Sequence, residues 1–556
     1  MKIFDVCIVG SGAGAGPIAY VLSQAGYKVL VLEKGKWYKD FYKDEMACCI
    51  HETFTPNKQQ QQHVIETRKG DGWKVRKTSE SSWNLWNGNL VGGSSNFMSG
   101  FFHRLKPIDF KLKSTFGAIE EANIVDWPIS YDELEPYYDK VEKIVGISGK
   151  IIPHKHQEPR SSKDFPYPQT TEHPLAQKID QASEQLNMTA VPMPRAILSQ
   201  PALGRNSCSY NGYCGAFGCA TGAKGSSRAA LLDKAVATGN CEIRPESQVT
   251  NIITNKIGKI TGLEYYDKND KPQIVHGKIY VIACQAVETS RLLLNSTSEK
   301  FKQGLANNNG QVGKNLLFAG GGAASGRINY ADFPAEATAL RENGPFINRS
   351  IYDFYVIDDP KFADKPMKGG TIDFVHAHPN PIARATRQIR GKKGILWGKP
   401  LKRKMEDYFQ NGRYIKVEAF CDWLPNDDSF VSIDPEVKDK WGKPVARVRF
   451  GFHFHNLKVG YYLAEKSAQV LKKLGATDVV HFASGAPPVN LQAGGCRFGN
   501  DPKTSVLDKN CQAHEVENLY ITDASFMPNA GSAPFTWTIY ANSFRVADKI
   551  LEKLKV

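Results

Sequence analysis

Three groups of residues have types and spacings that could do chemistry. The first is glycine-rich: Gly10-Ser11-Gly12-Ala13-Gly14-Ala15-Gly16 follows the apolar run Asp5-Val6-Cys7-Ile8-Val9, and an acid, Glu33, stands about 20 residues on. Gly10 allows a tight turn, Gly12 lets the backbone approach a pyrophosphate, and small Ala15 permits close helix–sheet packing. A helix starting there offers N–H groups and partial positive charge to phosphates. Glu33 is placed to accept from ribose hydroxyls. The second group is Cys208, Cys214 and Cys219, interleaved with Gly212, Gly215 and Gly218. Glycines let a loop wrap closely around an inorganic core, and three thiolates match the ligand demand of a 3Fe–4S cluster. Zinc wants a fourth ligand, and no histidine lies nearby in sequence. Structural thiols in a glycine loop, another metal or a disulfide remain as readings. The third group is two pairs of histidines, His376/His378 and His453/His455. On a strand each pair presents both imidazoles to one face, suited to acid–base work or to plain structural hydrogen bonding.

The elements that must position these residues are legible at both ends of the chain. A β-branched strand over 5–9, a helix over 17–25 ended by Gly26, and a strand over 28–32 make a βαβ unit around the glycine loop. Far away, Glu517-Asn518-Leu519-Tyr520-Ile521-Thr522-Asp523 reads as another strand ending in an acid, with helical periodicity over 539–554 behind it. Ser130 and Glu133 form a capping box for a helix that follows. At 556 residues the chain predicts two or three domains. No apolar stretch approaches the roughly 20 residues of a membrane span. The N-terminus runs directly into a strand, so no export signal of the chain's own is expected. That predicts a cytoplasmic protein, or one on the periplasmic face of the inner membrane if exported with a partner. Eleven cysteines, an odd and scattered number, do not resemble a secreted disulfide framework. The tract Gln59-Gln60-Gln61-Gln62 is expected in a loop near a site entrance. The net charge is +14, and the stretch from Arg384 to Lys404 holds nine basic residues and no acidic one, around Ile395-Leu396-Trp397. A solvated loop, or a peripheral membrane or partner contact, fits that stretch. Nucleic acid does not, for no binding motif accompanies the charge.

With the C-terminal strand in view, the sequence resembles the glucose-methanol-choline (GMC) oxidoreductases. The glycine fingerprint, Val91-Gly92-Gly93-Ser94-Ser95-Asn96, the stretch ACQAVETSRLLLNS from Ala283, and the tail from Gly494 to Asp548 carry the resemblance across nearly the whole chain. Asp126-Trp127-Pro128 with the residues up to Tyr138, and Cys214-Gly215-Ala216-Phe217-Gly218-Cys219, are most like the flavoprotein subunits of gluconate 2-dehydrogenase and related sugar dehydrogenases. The resemblance implies an α/β fold: a Rossmann-like FAD-binding domain (1–105, 205–320 and 485–556) interleaved with a substrate domain (106–204 and 321–484) that contains an antiparallel sheet. It implies FAD, with Gly92, Gly93 and Asn96 near the isoalloxazine, Val249 at the adenine and Asp523 near the ribityl-pyrophosphate. The slot that some relatives use for covalent attachment holds Phe97, which implies non-covalent FAD. Sugar dehydrogenases resembling this chain carry an iron–sulfur cluster and work with a small subunit and a cytochrome.

Alcohol oxidation by flavin sends the carbinol hydrogen to the flavin as hydride and the hydroxyl proton to a base. The resemblance places the usual histidine at Leu491 and the usual second His or Asn at Ala533 or Pro534, none of which accepts a proton. The displaced candidates are His453, His455, Gln492 and Asn529, with His376, His378, Asn490 and Thr536 behind them. His453 and His455 are preferred for their basicity, since Asn and Gln orient a hydroxyl but are poor bases. The leading function is a dehydrogenase of a sugar, sugar acid or related alcohol that passes electrons to a partner. A flavin-bound member that is a lyase or electron relay, and a non-catalytic docking subunit, are the competing readings.

Overall fold

The computed structural model describes residues 3–39, 62–81, 85, 87–210, 214–215, 217–341, 346–376, 381–391, 394–451, 453–485, 488 and 490–555. Of the glutamine tract only Gln62 is among them; His378, Cys48 and Cys49 also lie outside.

The apolar run at the N-terminus becomes the strand Ile3–Val9, central in a parallel sheet. Val6 faces Val29 of the strand Val29–Leu32 on one side and Ile279 of the strand Pro272–Ile282 on the other. Cys241–Arg244 and Leu519–Ile521 extend the sheet outward in parallel. Val6, Ile8, Val29, Leu30 and Val281 are wholly buried, as parallel strands covered on both faces require. The helix Gly16–Gln24 crosses over and packs against the long C-terminal helix Thr536–Lys555. Pro272–Ile282 serves two sheets, because its first residues pair antiparallel with Ile260–Tyr266, which pairs in turn with Gln248–Thr254.

A second sheet is antiparallel throughout and drawn from widely separated segments: Thr477–Ala483, Leu317–Asn329, Gly412–Asp422, Gly370–His376, Arg349–Ile351 and Ala190–Pro192, in that order. Gln492–Ala493 adds a short strand beside Leu317 and Phe318. The helix Phe454–Lys473 covers one face. A Cβ on Gly322 would lie 2.2 Å from the Gly460 carbonyl oxygen, so glycine is what lets this helix approach the sheet. The other face looks back at the parallel sheet across a cavity. A smaller four-stranded sheet joins Val64–Lys69 and Gly72–Lys77 to Phe430–Lys438 and Pro444–Phe450, and so crosses the domain limits expected from the sequence. The predicted capping box is present: the Ser130 hydroxyl accepts from the Glu133 N–H (3.1 Å), and the Glu133 carboxylate accepts from the Ser130 N–H (2.8 Å). No helix among the described residues is long and apolar enough to cross a membrane.

Candidate active site

One cavity of about 940 Å³ runs from the glycine loop to the antiparallel sheet. At the loop end, Gly10, Gly12, Ala13 and Gly14 form its floor. Gly10 has φ +89°, and a Cβ there would lie 2.3 Å from the Ala283 carbonyl, so only glycine makes this turn. A Cβ on Gly12 would meet nothing within 4 Å, because that residue faces open space. The closest packing falls to glycines on either side of Ala15: Gly14 abuts the Thr522–Asp523 backbone and Gly16 abuts Ser227. Ala15 itself is buried behind them.

Ser11, which the fingerprint treats as a filler, is the hub of the loop. Its hydroxyl donates to Glu33 Oε2 (2.5 Å) and accepts the Gly92 N–H (2.9 Å). The other Glu33 oxygen accepts the Gly35 N–H (2.9 Å). Burial outweighs these bonds and raises the Glu33 carboxyl above its usual range. Ser227 donates to the Ser11 and Gly12 carbonyls (2.9 Å each), and Ser95 donates to the Gly92 carbonyl (2.6 Å). These serines fasten the Gly92–Gly93 turn onto the glycine loop. Gly93 lines the cavity, while Gly92 and Asn96 stand behind its surface. Asn96 Nδ2 donates to the Val91 and Gly93 carbonyls (3.1 and 3.0 Å), holding the turn closed. Val249 and Asp523 both line the cavity. Asp523 spends its oxygens on protein donors, namely the Gln285 N–H, the Thr289 hydroxyl and the N–H and hydroxyl of Ser525, and burial raises its pKa.

The far end is built by the antiparallel sheet. Gly321, Ala323, Lys416, Glu418, Phe420, Val375 and Phe482 line it. Lys416 and Glu418 form an ion pair. Glu418 is the one carboxylate that this sheet contributes among the described lining residues. Arg384, Arg387 and Tyr408 complete this end. Between the two ends the walls are largely apolar: Met98, Phe101, Leu491, Pro534 and Phe535.

The candidate catalytic residues separate. Gln492 lines the cavity, its Oε1 accepting from Gln285 Nε2 (2.6 Å). Leu491 and Pro534 line it, whereas Ala533 turns toward a small polar pocket beside His103, Tyr352 and Tyr355. Asn529 is buried off the cavity and donates to the Asp109 carbonyl (2.9 Å). It belongs to a scaffold under the Pro534 turn. There Lys368 Nζ donates to the Ser532 hydroxyl (2.6 Å) and sits 3.1 Å from Asp109. His453 and His455 are not among the lining residues. His453 Nδ1 accepts the His455 N–H (3.1 Å), which makes it the cap of the helix Phe454–Lys473, and its Nε2 lies 2.6 Å from the Glu120 carbonyl. Burial pushes His455 down to about 4. No histidine occurs among the described residues that line the cavity.

Cys208, Cys214 and Cys219 are free thiols around Ile197, Ala223 and Phe346. Cys208 accepts the Tyr210 N–H (3.4 Å), and burial pushes its thiol up to about 11. Cys219 pairs with the Thr221 hydroxyl (3.5 Å); its thiol lies below the usual value, since Lys224 and local hydrogen bonds overcome the effect of burial. The described residues contain no group of three or more such side chains arranged to hold a metal. Among the described residues, then, these thiols are not shown to form a metal site.

Sequence models of the GMC oxidoreductase family match residues 75–318 and 425–543. The chain belongs to this family. Among its relatives is a 2-methyl-1,2-propanediol dehydrogenase of Mycolicibacterium austroafricanum, 30% identical over 98% of this chain and 95% of the relative. The gluconate 2-dehydrogenase flavoprotein of Pantoea cypripedii is 24% identical over 100% and 94%. A structure of Aspergillus oryzae RIB40 formate oxidase superposes with a TM-score of 0.67 at 15% identity, covering 100% of this chain and 99% of that one. As a GMC oxidoreductase the protein is an FAD-dependent enzyme acting on CH–OH groups. The cavity suits FAD on its own evidence. Gly12 leaves room at the helix N-terminus, and the buried carboxamide oxygens of Asn87 and Asn89 at the cavity wall have no protein partner. Its volume is at the upper end of the roughly 300–1,000 Å³ of ligand sites.

Proposed function

We propose that this GMC oxidoreductase oxidises a secondary hydroxyl of a sugar acid and holds its FAD without a covalent bond. The observation that carries this reading is the charge at the far end of the cavity, where Arg384, Arg387 and Lys416 outnumber Glu418. A polyhydroxylated anion finds there both a carboxylate partner and hydrogen-bonding groups. FAD, when bound, supplies the two-electron acceptor for the carbinol hydrogen. Gly10, Gly12, Glu33, Gly93, Val249 and the N-terminus of the helix Gly16–Gln24 hold it. The apolar walls at Leu491, Pro534 and Phe101 exclude water from the reacting carbon. Gln492 orients the hydroxyl through its amide. Glu418, the carboxylate of the sheet end, accepts the proton in this reading, a role that neither Gln492 nor Leu491 can fill. Non-covalent attachment is supported by Phe97, a side chain that cannot bond to flavin, on the cavity wall.

Electrons leave, in this reading, to a partner protein, as a small subunit and a cytochrome would provide at the periplasmic face of the inner membrane. The kinship to a gluconate 2-dehydrogenase flavoprotein supports this. No step is routed through Cys208, Cys214 and Cys219; about three irons per purified chain would restore them as cluster ligands.

The test is anaerobic bleaching of the flavin by aldonates, neutral sugars and simple alcohols. Aldonates should bleach it fastest. Arg387→Ala should raise KM for them about tenfold with kcat nearly unchanged, and Glu418→Gln should lower kcat by about 10²-fold or more with KM little changed. Flavin that dithionite reduces but no aldonate does would overturn the substrate assignment. A Glu418→Gln enzyme with native kcat would remove the base.

A further inference from the structure

The basic stretch noted in the sequence folds into a compact projection beside the cavity mouth. It contains the helix Pro381–Gln388, the paired strands Arg390–Gly391 and Gly394–Ile395, and the helix Gly398–Glu406. Hydrogen bonds make it a defined shape. The Leu396 N–H donates to the Ile389 carbonyl (2.7 Å), and Lys404 Nζ donates to the Gln388 and Arg390 carbonyls (3.1 and 2.7 Å). From this platform Trp397 and Ile395 project into solvent at 81% and 75% exposure, among the most exposed large apolar side chains described. None of the residues of the helix Gly398–Glu406 is buried, and Lys399, Lys402 and Arg403 are exposed along it. Its one acidic residue, Glu406, is answered by Lys402 (3.8 Å).

Folding gains nothing by leaving a tryptophan and an isoleucine in water on this platform. Two apolar wedges ringed by cations match one environment closely: the boundary between anionic headgroups and acyl chains. There indole settles at the interface and each Lys or Arg gains from the negative surface potential. We propose that this projection seats the protein on an anionic lipid surface, with Trp397 and Ile395 inserted and Lys399, Lys402 and Arg403 at the headgroups. Arg384 and Arg387 of the same segment line the cavity, so the docked face borders the mouth. The docking does not depend on which alcohol the enzyme oxidises.

The test uses the FAD-loaded protein sedimented with vesicles of phosphatidylcholine alone or with about a third phosphatidylglycerol. The native protein should pellet with the anionic vesicles and stay in solution with the neutral ones. Ile395→Ser/Trp397→Ser and, separately, Lys399→Glu/Lys402→Glu/Arg403→Glu should each weaken binding at least about tenfold while keeping flavin content and turnover. A native protein left in the supernatant with both vesicles, as an acidic protein partner would predict, overturns the proposal. So does either variant binding as the native protein does, or equal binding to neutral vesicles.

Discussion

At the residue scale, Ser11 joins three parts of the cofactor cradle that the sequence separates. One hydroxyl satisfies a Glu33 oxygen and the Gly92 N–H, so Ser11→Ala leaves a buried acceptor and a buried donor short of a partner. A cost of about 1–3 kcal/mol follows, with weaker retention of FAD. The pH dependence has a definite sign. Glu33 is raised by burial, so the native state holds its proton more tightly than the unfolded chain does. Its contribution to stability is complete below the unfolded value and is lost as pH rises through the folded one. Ser11 opposes that rise, and removing it moves the folded value further up. Denaturant unfolding of Ser11→Ala should therefore show a penalty that grows from acid toward neutral pH. A penalty independent of pH would mean that the hydroxyl acts on the Gly92 turn alone. Ser11 was within reach of sequence reasoning, since it lies inside the fingerprint, but its partners Gly92 and Ser227 become neighbours only through the fold. Glu418 is not among the residues singled out from the sequence, although it has a local signal. The strand Gly412–Asp422 alternates Ile415, Val417 and Ala419 on one face with Lys416, Glu418 and Phe420 on the other, a charged face where a core strand would be apolar.

At the element scale, the two His-X-His pairs show why spacing alone misleads. The pair at 453/455 looked like two imidazoles on one strand face, yet it begins a helix. His453 turns its ring back to cap the first turn, and His455 is buried and kept neutral. A histidine whose folded value is near 4 contributes stability above its ordinary value of 6.5 that is lost as pH falls toward 4. We expect His453→Ala to cost about 0.5–2 kcal/mol, the range for lost caps, and His453→Asn to recover much of it. His455→Phe should flatten the fall in stability between pH 6.5 and 4. Turnover should survive in all three, and a kcat collapse without a loss of stability would return this pair to the chemistry. The βαβ unit, the C-terminal strand and the capping box were readable because each is local, being a period, a turn or a cap. The antiparallel sheet was expected only in kind. Its seven strands come from separate segments of the chain, and their registers depend on packing such as that of Gly322 against Gly460, for which no short window of sequence gives a signal.

At the scale of the whole molecule, the net charge of +14 and the cationic end of the cavity act in the same direction. A basic surface around a cleft walled by apolar side chains concentrates anions at the mouth and speeds their capture. Salt weakens this, because the screening length shrinks from about 30 Å at 0.01 M to about 3 Å at 1 M. A neutral polyol feels none of it. If the substrate is a sugar acid, kcat/KM for an aldonate should fall several-fold as ionic strength rises from about 0.01 to about 0.5 M, while the value for a neutral sugar stays level. The effect should lie in capture, so kcat at saturation is expected to hold constant for both. Arg387→Ala should flatten the aldonate curve at low salt without touching the neutral one. Parallel salt curves for the two substrates would mean that the far end of the cavity reads hydroxyl groups alone.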